Sequence, residues 1–356
     1  MKRLILNHSK RFLSCLVAFS IVLATVFSAV SIKGIFAAAD DAITYWDGNA
    51  ATAFAGGNGT ADNPFLIENG GQLYKAIKDL GKVNNKAAYY KITKDIYLNE
   101  GYTNYANWGT TPPANNWQSI YSSSEFVGHL DGDYHTIYGL YHKRTSFGAY
   151  FGFIPRINGG ATISNLIISN SYVWNSGDGT GFFTGRIING TVSNCVACNS
   201  AIGNSANDVI GGISGTITSA SGKISNCATY NITLTSSGSH GGILGKAWSG
   251  VCTVQNCFSA GNFPFEETGS ISCSGTYTDI SGSKNGVTVI QNSKMQGANA
   301  LTNMKLSEDI WMATNSYPII YKDLTAGLVW DGKTASTFAG GSGTVLDPYL
   351  IENGNH

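Results

Sequence analysis

Charge is scarce in this sequence. Only 12% of its 356 residues are Asp, Glu, Lys or Arg, and 22 bases balance 22 acids. No basic patch of the kind that grips nucleic acid or anionic lipid is present, which excludes those partner classes. Proline is rare too, at 7 residues, and methionine at 4. What fills the chain instead is Gly (44 residues), Tyr (18), Ser, Thr and Asn. Extracellular all-β proteins have this composition and helical bundles do not. Paired zinc motifs are also missing: Cys195 and Cys198 form a lone Cys-x-x-Cys with no second pair of matching ligands. No column of acids or bases recurs along the chain, which argues against an enzyme. The sequence therefore assigns no catalytic, cofactor-binding or metal residue.

One long apolar run exists, at the start. Lys2, Arg3, Lys10 and Arg11 precede an apolar stretch from Leu13 to about Ile32, and Ala37-Ala38-Ala39 precede Asp40. A positive head, an apolar middle and small residues at the exit make a secretory signal over residues 1–39, with cleavage expected after Ala39. The run is also long enough to span a bilayer as an uncleaved anchor. Residues 1–39 carry five bases and no acid, so the remaining chain has five acids in excess. No membrane span is expected after cleavage, and the protein is expected to be secreted or at the cell surface.

Repetition organises the rest. A glycine element recurs as Gly148-Ala-Tyr-Phe-Gly152, Gly181-Phe-Phe-Thr-Gly185, Gly211-Gly-Ile-Ser-Gly215 and Gly241-Gly-Ile-Leu-Gly245, its second glycine advancing by 33, 30 and 30 residues. An asparagine element interleaves with it at Asn165, Asn194, Asn226, Asn256 and, more weakly, Asn292, advancing by 29, 32, 30 and 36. Two markers sharing a period of about 30 predict stacked units, because one unit alone cannot bury its apolar face. Short alternating runs make the units strands. The expected fold is an all-β, right-handed parallel β-helix, the hand following from the general rule for parallel crossovers. Gly152, Gly185, Gly215 and Gly245 should line up along one edge. The asparagines should stand at bends that need positive φ, bonded in a ladder along the axis.

An open solenoid end exposes strand edges. Leu73, Ala76, Ile77 and Leu80 form the stripe of an amphipathic helix over 72–80, with Gly81 as its stop, expected to lie across the N-terminal end. Residues 99–124 lack periodicity and read as a side loop. A longer repeat links Trp46-Asp-Gly and Pro64-Phe-Leu-Ile-Glu-Asn69 to Trp330-Asp-Gly and Pro348-Tyr-Leu-Ile-Glu-Asn353, at an offset of 284. The domain map is then a signal at 1–39 and a β-helix module at 40–328. Within the module lie an N-terminal cap at about 42–87 and a closing segment at about 296–328. Residues 329–356 read as the truncated start of a second module.

These residues resemble the bacterial surface proteins that carry the GLUG motif. The resemblance covers most of 42–356 and rests on Phe54-Ala-Gly-Gly-Asn-Gly-Thr60, Pro64-Phe-Leu-Ile67, Leu130-Asp-Gly132, the four glycine elements, and Ala300-Leu-Thr-Asn-Met304 with Trp311 and Pro318. It implies a cell-surface or secreted β-helix, linked to adhesion and built into larger multi-module chains.

Three groups of residues invite chemistry. Cys195, Cys227 and Cys257 share one repeat position, with Cys198, Cys252 and Cys273 nearby. Free core thiols, a disulfide and a metal site are the open readings. His129, Asp131, Asp133 and His135 fall within seven residues; they read as a turn before they read as a site. Glu266-Glu267 and Glu308-Asp309 read as solvated charge. The functional expectation is a non-catalytic adhesive or structural protein whose partner is an extracellular glycan or a host or cell-surface ligand. The alternative is a secreted polysaccharide lyase or hydrolase on a β-helix. Three charged or imidazole groups converging in one groove would favour the enzyme, and a face of Ser, Thr, Asn and Tyr would favour binding.

Overall fold

The computed structural model describes residues 43–118, 124–148, 150–204, 208–248, 251–266, 270–282 and 284–322. The signal segment and residues 329–356 lie outside the described residues. The protein is mostly β, a parallel solenoid with little helix. Its longest face stacks Phe65–Ile67, Tyr89–Ile92, His129–Asp131, Ala161–Ser169 and Gly190–Gly203 in parallel register. The stack continues through Gly222–Ser225, Val251–Gln255 and Ser270–Ser274. Thr180–Gly181, Ile210–Gly211 and His240–Gly241 make a second face. Ile154–Ile157, Thr184–Ile187, Ser214–Ile217 and Leu244–Ala247 make a third. About four coils carry this full set of faces.

Alternation drives the packing. Along Ala161–Ser169, Ile163, Leu166 and Ile168 are fully buried, and Val192, Cys195 and Ala197 repeat the pattern one coil on. The asparagines sit where expected. Asn165, Asn194, Asn226 and Asn256 occupy one register position, each with φ between 51° and 54°. There the backbone turns through the left-handed region, which Asn tolerates better than most residues. Their amides form a ladder: Asn165 Nδ2 donates to Asp131 Oδ1 (2.9 Å), Asn194 Nδ2 to Asn165 Oδ1 (2.8 Å), and Asn226 Nδ2 to Asn194 Oδ1 (3.0 Å). A second bend lies five residues later at Asn170, Asn199 and Asn231, also left-handed, with Asn231 Nδ2 donating to Asn199 Oδ1 at 3.2 Å.

The glycine marker needs a correction. Gly185, Gly215 and Gly245 do stack, since Thr184, Ser214 and Leu244 are paired and so are Arg186, Thr216 and Lys246. Gly152 is not in that column. Phe151 bridges to Thr180 and Ile154 pairs with Thr184, which places Gly152 beside Gly181 and Pro155 beside Gly185. A Cβ on Gly152 would meet Thr184 Cα at 2.4 Å, so its glycine serves close approach to the next coil.

Helix α1 (Gly70–Lys78) begins at Asn69, whose Oδ1 accepts from Gln72 N at 3.0 Å. Leu73, Ala76 and Ile77 join the main core, while Leu80 and Gly81 turn away with φ of 54° and 68°. Residues 99–118 are more than a side loop, because Trp117 is 1% exposed and packs on Trp46, Tyr74 and Phe153. All six cysteines of 195–273 are free thiols.

The closing segment lies along the flank of the coils. Val196, Cys198, Ala228, Tyr230 and Phe258 point outward, and Met304, Leu306, Trp311, Tyr317 and Ile320 cover them in a second apolar cluster. Helix α2 (Ala300–Met304) contributes Leu301 and Met304 to it. The chain thereby returns toward the first coils, where Lys322 Nζ reaches Asp133 Oδ1 at 3.0 Å. Tyr45, near the start of the described residues, bridges to Tyr97 in those same coils.

Candidate functional site

In a strand, residues two apart share a face, and paired strands put equivalent residues about 4.8 Å apart. With Ile163, Val192, Ile224 and Val254 buried, their neighbours must point out. The register gives two outward columns. One runs Thr162, Thr191, Lys223, Thr253 and Ser272; the other runs Ser164, Ser193, Ser225, Gln255 and Ser274. The columns are about 6.6 Å apart, two residues along the strand. The result is a lattice mostly of hydroxyl and amide groups that both donate and accept hydrogen bonds, interrupted in one coil by Lys223, which only donates, and by Ser225, which is buried.

At its N-terminal end the lattice meets an aromatic step. Tyr89 pairs with His129, which pairs with Thr162, and Lys91 pairs with Asp131, which pairs with Ser164. The Tyr89 and His129 rings stack at 4.4 Å and 23°. Together with Ala61 and Pro64 these side chains line a shallow cleft of about 240 Å³.

The four clustered residues of the sequence do not converge. His129 Nδ1 lies 3.1 Å from Thr162 Oγ1, and burial pulls the imidazole below its usual pKa, so it is neutral at pH 7. Asp131 Oδ1 accepts from Asp133 N at 2.9 Å, which closes a tight turn with Asp133 and Tyr134 at positive φ. Burial opposes ionisation of Asp133, but bonds from Lys322 and Lys91 outweigh it and hold the carboxyl below its usual range. His135 Nδ1 is 3.2 Å from Asp95 Oδ1 on the far side of the turn. Lys91 is thus paired with Asp133, while the Asp131 carboxylate is held by hydrogen bonds from Asp133 N and Asn165 Nδ2. Among the described residues, no three His, Cys, Asp or Glu side chains could hold a metal together.

A second groove, of about 370 Å³, holds His240, Glu266 and Lys284 with Phe263, Phe265 and Ile280. His240 Nδ1 donates to Gly238 O at 2.8 Å and lies 4.0 Å from Glu266 Oε2; the same Oε2 accepts from His240 N at 3.0 Å. His240 and Glu266 are both about half exposed. Glu308 and Asp309 are exposed, and Asp309 bonds only locally with Ser307. Glu267 lies outside the described residues. Sequence reading missed the hydroxyl columns, although Thr162-x-Ser164, Thr191-x-Ser193 and Ser272-x-Ser274 carry the signal. It also missed Tyr89, whose place beside His129 is set by a pairing 40 residues apart.

No family model matches the chain. Over 179 residues, 48% of its length, it is 30% identical to Halomucin of Haloquadratum walsbyi. Over 124 residues, 35% of its length, it is 30% identical to a protein of Evansella cellulosilytica named "Putative Gly-rich membrane protein". The chain spans only 2% and 13% of these two relatives. Among solved structures, a Bacteroides ovatus protein described as a "putative immunoglobulin A1 protease" overlays with a TM-score of 0.47 at 19% identity. That overlay covers 75% of this chain and 95% of the other.

Proposed function

We propose that this is an exported, cell-surface or secreted right-handed β-helix of the GLUG-motif kind, which binds neutral, extended glycan along its long outer face. The observation that carries the reading is the register-matched lattice of Thr and Ser ending on the Tyr89–His129 stack. A glycan offers repeating hydroxyls that need partners able to donate and accept, which Thr and Ser supply in most coils. Tyrosine adds a large, rigid contact surface that loses little entropy on binding. The Asp131 carboxylate in the cleft disfavours an acidic polymer there, so a neutral one fits better. The names of the two partial relatives support placement at a surface. Helix α1, with Leu73, Ala76 and Ile77 in the core, serves in this reading as the N-terminal cover.

A glycan array probed with the exported chain tests this. Neutral, linear oligosaccharides should be retained, and Tyr89→Ala should weaken retention by up to roughly tenfold, the worth of one aromatic stack. Tyr89 is 36% exposed, so its loss should leave the fold intact. Retention unchanged by Tyr89→Ala and by Thr191→Val together would refute the site.

The groove of His240, Glu266 and Lys284 supports the second reading, a carbohydrate-active enzyme, because three such groups line one depression. Release of new chain ends from a polysaccharide, abolished by His240→Gln, would establish it. Glycan binding with no cleavage would leave the first reading standing.

A further inference from the structure

The third face carries charge on its outer side. Ile187, Ile217 and Ala247 are buried, so the residues before them point out. The register sets these residues, Arg186, Thr216 and Lys246, in one column with Arg156. Letters alone hide the column, because Arg156 enters it only through the slip that places Pro155 beside Gly185. A second outward column lies two residues further along, at Ile188, Thr218 and Trp248. Their backbone N–H groups donate one coil back, to Ile157 O, Ile187 O and Ile217 O, which keeps them in step.

The cations of this face differ in their partners. Arg156 is neutralised, its Nη2 donating to Glu125 Oε1 at 3.0 Å. Among the described residues no carboxylate lies within ion-pair distance of Arg186 or Lys246. Arg186 is nevertheless fixed in place. Its Nε donates to Thr218 Oγ1 at 3.0 Å, its Nη1 to Tyr150 OH at 3.3 Å, and its guanidinium lies 5.0 Å from the Tyr150 ring centre. These bonds hold it against Thr218, which stands one coil, about 4.8 Å, from Trp248. Lys246 Nζ lies over the Trp248 ring, 4.3 Å from its centre. Trp248 is still 53% exposed, the most open aromatic side chain among the described residues. Thr216, between the two cations, is fully buried and turns its Oγ1 onto Gly185 O at 3.2 Å. Two cations without acids and an open indole thus share one patch, on a chain whose residues after 39 carry five acids in excess.

We infer that Arg186, Lys246 and Trp248 bind a uronic-acid polysaccharide laid along the solenoid axis. The planar guanidinium matches a carboxylate with two parallel hydrogen bonds, and the ammonium supplies a second point charge. The indole offers a flat apolar surface to the apolar face of a sugar ring. A uronate is the sugar that presents ring and carboxylate together. Arg186 and Lys246 stand two coils apart, about 10 Å, which suits a polymer with carboxylates at intervals. Two cations remain far fewer than the contacts with which proteins grip nucleic acid. The patch lies on a different face from the hydroxyl lattice and stands independently of the neutral-glycan reading.

Titration of the full chain with polygalacturonate, alginate and hyaluronan, with dextran and poly-glutamate alongside, tests the patch. At least one of the three uronate polymers should bind and shift tryptophan emission to the blue, because binding covers an exposed indole. Raising NaCl from about 50 mM to about 500 mM should weaken that binding, since exposed charges are screened. Arg186→Gln and Lys246→Gln should each weaken it by roughly tenfold, the worth of one charge-assisted hydrogen bond. Arg186→Lys should recover part of the loss, and Trp248→Phe should remove the emission shift. Tyr89→Ala should leave uronate binding unchanged, so failure here and failure of the neutral-glycan site are separable. Lys246→Gln keeps the test decisive if Arg186→Gln folds poorly, because the Lys246 ammonium has only the Trp248 ring as a partner among the described residues. Three results would overturn the inference: none of the uronate polymers bound at about 50 mM NaCl, binding unchanged in both charge variants, or dextran or poly-glutamate bound equally well.

Discussion

Asn194→Ala should cost roughly 3 kcal/mol of stability, and Asn194→Gly about 1 kcal/mol less. Asn194 sits mid-ladder with φ of 51°, where an alanine Cβ crowds its own backbone by about 1–2 kcal/mol. Its amide also donates to Asn165 at 2.8 Å and accepts from Asn226 at 3.0 Å. Each such bond contributes about 0.5–1.5 kcal/mol. Glycine removes both bonds but takes the left-handed bend freely, so the difference between the two variants isolates the backbone contribution. Denaturant unfolding of the three proteins gives both quantities from the shift in midpoint. Equal losses in the alanine and glycine variants would mean that the left-handed bend is not what selects asparagine. A loss below 1 kcal/mol in both would mean that the ladder bonds add nothing beyond what water supplies.

The first ladder was readable because asparagine at a fixed period has a single economical explanation, a bend at positive φ. The second was equally regular at Asn170, Asn199 and Asn231, yet its outer copies are Gly139 and Gly261, which meet the same need without the same letter. Gly152 misled for the opposite reason. It matches Gly185 by letter and pairs with Gly181 in space, because a one-residue slip separates Phe151–Thr180 from Ile154–Thr184. Trp117 belongs to a segment with no period, so nothing local announces that its indole donates to Phe153 O at 3.1 Å inside the core. The outward apolar strip of Val196, Cys198 and Phe258 is visible as broken alternation, but its cover comes from residues some 50–120 positions later. Alternation thus dictates which side chains leave the core, while long-range pairing decides what meets them outside. The hydroxyl lattice belongs to the first kind and the Tyr89–His129 cleft to the second.

His142 should make the protein acid-sensitive above the range where carboxylates titrate. The imidazole is 5% exposed and stacks on Phe151 at 3.6 Å between ring centres, with Nδ1 3.0 Å from Trp117 O. Burial pulls its pKa down to about 4, with the Arg144 charge adding to the depression, against bonds to Trp117 and Asn175 that favour the proton. In the unfolded chain the same group titrates near 6.5. Between those values the unfolded state binds a proton that the folded state refuses, so stability falls as pH is lowered through the window and levels off below it. A gap of about 2.5 units is worth roughly 3 kcal/mol. His129, also depressed by burial, acts in the same direction but is only partly buried. Asp133 is a depressed carboxyl, so its contribution is lost only as pH falls below the usual carboxylate range. His142→Gln keeps an amide that can donate to the Trp117 carbonyl and removes the titration. Stability of the parent and variant, measured by denaturant unfolding from pH 7 to pH 4, should therefore converge as pH falls, the parent losing roughly 3 kcal/mol more than the variant. Parallel profiles would show that His142 takes up its proton without leaving the fold.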